Sequence, residues 1–260
     1  MTDGRTAAHG QASYDVRLEW GPTGGAAVAR GADVAVVVDV LSFTSALTIA
    51  VGRGTRVYPF AWKDERAAAF AEERGAALAV GRVEVAGLPA ESAPPSLSPA
   101  RLLASEPVER LVLPSPNGST ICAALADAGP VVVGGSLRNR AAVARWLAPR
   151  VAHGQRVAFV AAGERWRDGS LRPGLEDLWG AGAVLATLQA ALGAAAFSPE
   201  AEHAAASYGL VAERVRESLL ACASGRELVA AGFADDVVAA ADVDADAVVP
   251  VLTGEGFTAG

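Results

Sequence analysis

Residues 34 to 45 read Val34-Ala35-Val36-Val37-Val38-Asp39-Val40-Leu41-Ser42-Phe43-Thr44-Ser45. The run Val34 to Val38 is apolar at every position, not at alternate ones. A strand needs that pattern when helices cover both its faces, as inside a parallel sheet. Ser42 to Val51 then reads as a helix, with Ser42 or Thr44 near its cap. A strand running into a helix is the repeating unit of an α/β fold. Working outward, further strands are expected at Thr55 to Phe60, Ala76 to Val80, Leu111 to Leu113, Val131 to Val133 and Val157 to Val160. Helices are expected at Lys63 to Arg74, Pro99 to Ala104, Thr120 to Asp127, Asn139 to Leu147 and Leu175 to Leu192. Proline breaks regular structure from Pro89 to Pro99, which reads as a surface loop.

Val16 to Trp20 fits an initial edge strand and Ala247 to Leu252 a final one. From Ser198 to Ala240 helices follow one another without strands, which implies a helical C-terminal region coating the sheet. The expectation is a three-layer α/β/α fold with a largely parallel or mixed sheet. Residues 14–252 would form one unit, with a division into two α/β lobes near position 129 left open. Residues 1–13 read as a flexible tail and 253–260 as a C-terminal tail.

Composition narrows the function. The 260 residues are 52% hydrophobic with a formal charge of −7, and Lys63 is the only lysine among 22 Lys and Arg residues. Side-chain anion binding therefore rests on arginine, and the acidic balance argues against nucleic acid as a partner. Cys122 and Cys222 are too far apart for a metal or redox pair and are expected to be reduced. Neither a signal-peptide core nor a membrane-length apolar run is present, so the expectation is a cytoplasmic protein without membrane contact. P-loop, Gly-x-Gly-x-x-Gly and Gly-x-Ser-x-Gly motifs are all absent. His9, His153 and His203 show no metal-ligand spacing, and Leu41 stands where an Asp-x-Asp phosphatase motif would have its second carboxylate.

Ligands of open α/β sheets bind beyond the carboxyl ends of the strands, so the residues just after each apolar run are the candidates. They are Asp39 with Ser42, Thr44 and Ser45; Ser115 to Thr120, containing Asn117-Gly118-Ser119; Ser136-Leu137-Arg138-Asn139; and Gly163-Glu164, followed by a loop to Glu176-Asp177. Each has a plainer reading. Asp39, Ser136 and Asn139 fit helix caps, Asn117-Gly118 fits a tight turn, and Glu176-Asp177 suits the first turn of any helix. Together, Asp39, Glu176 and Asp177 make three carboxylates on one rim, which points to a hard divalent cation such as Mg²⁺.

These blocks, in their order, resemble the 2-phosphosulfolactate phosphatase family. Its members carry Asp-Val-Leu-Arg-Ala-Thr-Ser after the first core strand, then Thr-Asn-Gly-Thr, Gly-Ser-x-x-Asn-x-x-Ala, and Glu-Asp opening a helix. Here the blocks are Asp39-Val40-Leu41-Ser42-Phe43-Thr44-Ser45, Pro116-Asn117-Gly118-Ser119, Gly135-Ser136-Leu137-Arg138-Asn139-Arg140-Ala141-Ala142, and Gly174-Leu175-Glu176-Asp177. Ser224-Gly225-Arg226-Glu227-Leu228, Gly232-Phe233-Ala234-Asp235-Asp236-Val237 and Val249-Pro250-Val251 extend the similarity to about residue 252.

The resemblance implies Mg²⁺-dependent hydrolysis of a small acidic phosphate monoester, with activity linked to coenzyme M biosynthesis. On this reading Asp39 and Asn139 are catalytic, Thr44, Asn117, Gly118, Ser119, Ser136 and Arg138 bind substrate, and Asp39, Glu176 and Asp177 hold metal. The chain departs from the family twice. Ser42 replaces its arginine, and Gly81-Arg82-Val83-Glu84-Val85 replaces its Gly-Glu-Arg-Gly-Gly. Arg138, Arg165 or Arg172 is expected to supply the missing charge. A phosphatase for a less anionic ester and a catalytically silent small-anion binding protein remain alternatives. The partner is a small phosphate ester, and a homo-oligomer is left open.

Overall fold

The Val34–Val38 strand is buried along its whole length, and its alternate side chains enter two different cores. In the computed structural model, which describes residues 8–61, 65–89 and 93–260, it is β2. Before it come β1 (Val16–Trp20) and helix α1 (Gly21–Val28). After it come α2 (Phe43–Gly52), β3 (Arg56–Phe60), α3 (Glu65–Glu73), β4 (Ala77–Leu78), α4 (Pro99–Ala104), β5 (Arg110–Pro114), α5 (Gly118–Ala126) and β6 (Val131–Gly135). The chain continues through α6 (Arg140–Ala152), β7 (Val157–Ala161), a small hairpin of β8 (Glu164–Arg165) and β9 (Leu171–Arg172), and α7 (Leu175–Leu192). Helices α8 (Pro199–Gly209), α9 (Val215–Ala221), α10 (Ala223–Ala230) and α11 (Ala234–Ala240) precede β10 (Pro250–Thr253) and β11 (Gly256–Ala259).

Nine strands form one sheet in the order β1-β7-β2-β6-β10-β11-β3-β5-β4. β1, β7, β2 and β6 pair in parallel, as do β3, β5 and β4. The hairpin β10–β11 joins these blocks by antiparallel pairing, Val251 opposite Val133 and Phe257 opposite Val57. The fold is the three-layer α/β/α arrangement with a mostly parallel sheet. Val34, Val36 and Val38 enter a core with Leu147, Val184, Leu185 and Ala204, from α6, α7 and α8. Ala35 and Val37 enter a second with Leu47, Ile49, Ile121 and Leu125, from α2 and α5. Helix α3 covers Tyr58 and Val112 with Ala71.

Three expectations need correction. The C-terminal tail is instead strand β11, inside the sheet, with Phe257 fully buried. Its four-residue length and the glycines at 254, 256 and 260 hide the strand pattern, and partners on both edges supply the order that local propensity lacks. Residues 1–7 lie outside the described residues, but 8–13 are tied down. Gln11 is buried, donates to the Leu18 carbonyl and accepts the Leu18 N–H, at 2.7 and 3.1 Å. No cut near 129 separates two lobes, because β2 sits between β6 and β7. Of the expected helix Lys63 to Arg74, residues 63 and 64 lie outside the described residues, as do 90–92 of the proline-rich loop.

Candidate active site

Asp39 ends β2 at the mouth of α2, where a short loop must turn a buried strand into a buried helix. Thr44 fixes that turn: its hydroxyl accepts the Asp39 N–H and donates to the Asp39 carbonyl, at 2.9 and 2.8 Å. The carboxylate is buried and held from two elements. Oδ1 accepts the Phe43 N–H at 3.2 Å, while Oδ2 accepts the Gly118 N–H at 2.8 Å and the Ser115 hydroxyl at 3.4 Å. A Cβ at position 118 would lie 2.6 Å from Phe43 and 2.7 Å from Asp39 Oδ2. Only glycine lets α5 begin this close to the carboxylate.

The first turn of α7 brings two more buried carboxylates. Asp177 latches two loops together, accepting the Val40 N–H at 2.7 Å and the Gly163 N–H at 2.8 Å. Glu176 turns toward α10, where Ser224 donates to it at 2.5 Å and the Cys222 thiol lies 3.5 Å away. Arg172, from β9, donates to Ser224 at 2.7 Å, completing a chain from Arg172 through Ser224 to Glu176. Glu164 follows β7 and accepts a hydrogen bond from the Asn117 amide at 2.9 Å.

The two departures from the family pattern meet in space. The Arg82 guanidinium donates through Nη2 to the Ser42 hydroxyl and through Nε to Asp236 at 2.7 Å. It is near enough to Asp39 to pull that carboxyl's pKa down.

The electrostatics are those of an acidic cluster short of counter-charge. Burial pushes the Asp39 carboxyl above its ordinary value, against the Gly118 and Phe43 amides and Arg82; Glu176 adds to the rise. Burial also pushes Asp177 well up, reinforced by Asp39 and then Glu176. Glu164 is pushed up to about 7, by burial first and then by Asp39, while Asn117 and Arg172 oppose the shift. Removal from water and mutual repulsion act together here.

Not every sequence candidate faces this cluster. Asp39, Asn117, Gly118, Glu176 and Asp177 are brought together, whereas Thr44 serves the turn just described. The Ser119 hydroxyl donates to the Phe60 and Ser115 carbonyls, holding α5 against β3. Asn139 and Ser136 form a capping box, and the Asn139 amide is completed by the Gly134 and Val248 carbonyls at 3.2 and 3.1 Å. Arg138 points to Asp246, Asp242 and the Ala239 carbonyl, so it pins the segment after α11 and does not reach the cluster. Arg165 lies exposed on the β8–β9 hairpin. Glu164 was a candidate after its strand but was given no role, and Arg82 and Ser224 were given none either. Glu164 had a usable signal, because it lies in the polar turn three residues after the end of β7. Ser224 stood in the Ser224-Gly225-Arg226-Glu227-Leu228 block of the resemblance, but nothing local in the sequence pointed it at Glu176.

The expected three-carboxylate metal cage is not formed. Among the described residues, no three His, Cys, Asp or Glu side chains converge as ligands of one ion. All three carboxylates already accept hydrogen bonds from the protein, Asp39 and Asp177 from backbone amides and Glu176 from Ser224, and this holds them apart in separate positions. Mg²⁺ needs only one or two carboxylates with waters completing its octahedron, and hard oxygen donors in an acidic, cation-poor cluster fit that mode. Beside the cluster lies a cavity of about 290 Å³, lined by Trp20, Pro22, Thr23, Asn117, Glu164 and Leu171 among others. No helix among the described residues is long and apolar enough to cross a membrane.

A sequence model described as 2-phosphosulpholactate phosphatase matches residues 26–255. That span runs from α1 to the β10–β11 turn and includes Asp39, Asn117, Gly118, Glu164, Glu176 and Asp177, so the match covers the whole acidic cluster along with the fold that builds it. The chain belongs to the 2-phosphosulpholactate phosphatase family, a family of phosphoric monoester hydrolases.

Proposed function

We propose that the chain hydrolyses a small, multiply anionic phosphate monoester, 2-phosphosulfolactate or a relative, to alcohol and phosphate with Mg²⁺ as cofactor. The observation that carries this reading is the buried Asp39 carboxylate, held by the Phe43 and Gly118 amides where three loops meet. Asp39 and Glu176 would hold the metal, which supplies charge neutralisation for the transferring phosphoryl group. Asp177 acts one step back, clamping the loop after β2 to the loop after β7 so that Asp39 keeps its position. Asn117 sits at the start of α5 and presents its amide beside Gly118.

The substrate's acid groups would be taken by Arg82 and Arg172. Arginine forks suit sulfonate, carboxylate and phosphate oxygens. Arg82 places its guanidinium against Ser42, the position at which the resembled family has arginine. That favours the multiply anionic ester over a less charged one.

The test is phosphate release from 2-phosphosulfolactate and from 2-phospholactate, with Mg²⁺ and after chelation. We expect Mg²⁺-dependent release from both and a preference for the sulfonate-bearing ester. Binding of the ester without release would instead establish a small-anion binding protein.

A further inference from the structure

We propose that Glu164 is the proton donor to the leaving alcohol, and that the cavity beside it receives that alcohol's carbon skeleton. This rests on the phosphatase reading above and names a catalytic residue for it. Glu164 is placed at a junction. On one side it joins Asn117, whose backbone leads directly into Gly118 and its bond to Asp39. On the other it lines the cavity of about 290 Å³, together with the indole of Trp20, the α1 start at Gly21-Pro22-Thr23, and Leu171. The phosphoryl end of an ester at Asp39 would therefore leave its organic end facing Glu164 and this space. The volume suits a short carbon skeleton, near the lower bound of ordinary small-molecule sites.

The Asn117 amide fixes the carboxyl by donating to Oε2. That leaves Oε1 as the oxygen to carry the proton. Asp39, Glu176 and Asp177 face Glu164 from β2 and α7, Arg172 from β9 and Arg165 from its own strand, so the surroundings are acidic on balance. Burial first, and then the acidic surroundings, favour the protonated carboxyl in the metal-free protein, where its pKa is about 7. A donor works best when its pKa lies close to the operating pH.

The step balances. The bond between phosphorus and the ester oxygen breaks, and its electron pair stays on that oxygen, which takes the Glu164 proton and departs as the alcohol. The incoming water loses a proton, which restores Glu164, and phosphate remains. No oxidant or reductant is involved.

The experiment compares 2-phospholactate with 4-nitrophenyl phosphate, in wild type and in Glu164→Gln. An alkoxide leaves poorly without a proton, whereas 4-nitrophenolate leaves without one. General acid catalysis contributes about 10²- to 10⁴-fold, so we expect Glu164→Gln to lower kcat/KM at least about a hundredfold for the alkyl ester and less than about tenfold for the aryl ester. Wild type supplies a second reading that does not depend on the variant folding: kcat/KM across alkyl and aryl phosphates should depend only weakly on leaving-group basicity. Equal losses for both esters in Glu164→Gln, or a steep basicity dependence in wild type, overturn the inference while leaving the phosphatase reading intact. A wild-type protein that releases phosphate from neither ester nor from 2-phosphosulfolactate overturns both.

Discussion

At the residue scale the molecule turns on buried carboxylates with different partners. Asp39→Asn keeps an oxygen for the Gly118 or Phe43 N–H and removes a charge that burial disfavours, so we expect melting within a few degrees of wild type and phosphate release at least about a hundredfold lower. Melting and release are measured on the same preparation, and more than about a tenth of residual activity removes Asp39 from the chemistry. Gly118→Ala should lose both properties, because its Cβ would lie within 3 Å of Phe43 and Asp39; overpacking of this kind costs about 1–3 kcal/mol. Glu164 carries a pH signature. Its folded pKa of about 7 exceeds an ordinary value of 4.5, so the native state holds the proton more tightly than the unfolded chain. The stabilisation is complete below about pH 4.5 and is lost as pH rises through 7, roughly 3 kcal/mol in all. Thermal melts from pH 4.5 to 8 in chelator should fall with pH in wild type and fall less in Glu164→Gln; identical slopes would contradict the assignment.

At the element scale, the β10–β11 hairpin is the seam between two parallel blocks, and Phe257 is fully buried in it. Phe257→Ala should cost about 3–5 kcal/mol in urea melts, where a tail residue would cost nothing. Arg138 makes a similar distinction. It is buried against Asp246, and breaking a buried ion pair costs roughly 3–5 kcal/mol, so Arg138→Met should lower melting while leaving KM near wild type. A large rise in KM with unchanged melting would return Arg138 to the substrate. These elements also show what the sequence made legible. β2, α4 and α7 coincide with their expected spans because a continuous apolar run, a Ser-Pro start and an acidic first turn are local signals. Helix α1 went unread because three of its eight residues are glycine; tertiary contact supports it, with Gly25 close against Val160 of β7. β11 went unread because it is only four residues long and sits between Gly254 and Gly260, its order coming from neighbours on both edges.

At the scale of the whole molecule, the large sheet and the β8–β9 hairpin and α7 packed beyond its strand ends bring Asp39, Arg82, Glu164, Arg172 and Glu176 into one cluster from segments up to 137 residues apart. The loops after β2 and β7 were visible as candidates, since polar residues directly after apolar runs stand out. Which side chains turn inward was not visible: Ser136, Asn139 and Arg138 look the same in sequence whether they cap helices, pin loops or bind phosphate. The chain is acidic overall, at −7, so recognition of the proposed anionic ester would rest on local arginine. Arg82→Ala should lower kcat/KM for 2-phosphosulfolactate about ten- to a hundredfold, since a hydrogen bond to a charged group contributes roughly 1.5–3 kcal/mol. The loss for 2-phospholactate should be smaller, and equal losses would place Arg82 outside substrate recognition. We propose Asp39 as the anchor of a metal-assisted phosphatase site. Its most direct measurement is phosphate release from 2-phosphosulfolactate by wild type and Asp39→Asn across a Mg²⁺ titration. We expect release that saturates with Mg²⁺ in wild type, disappears on chelation and is near background in the variant. Release indifferent to Mg²⁺, or equal in both proteins, would contradict it.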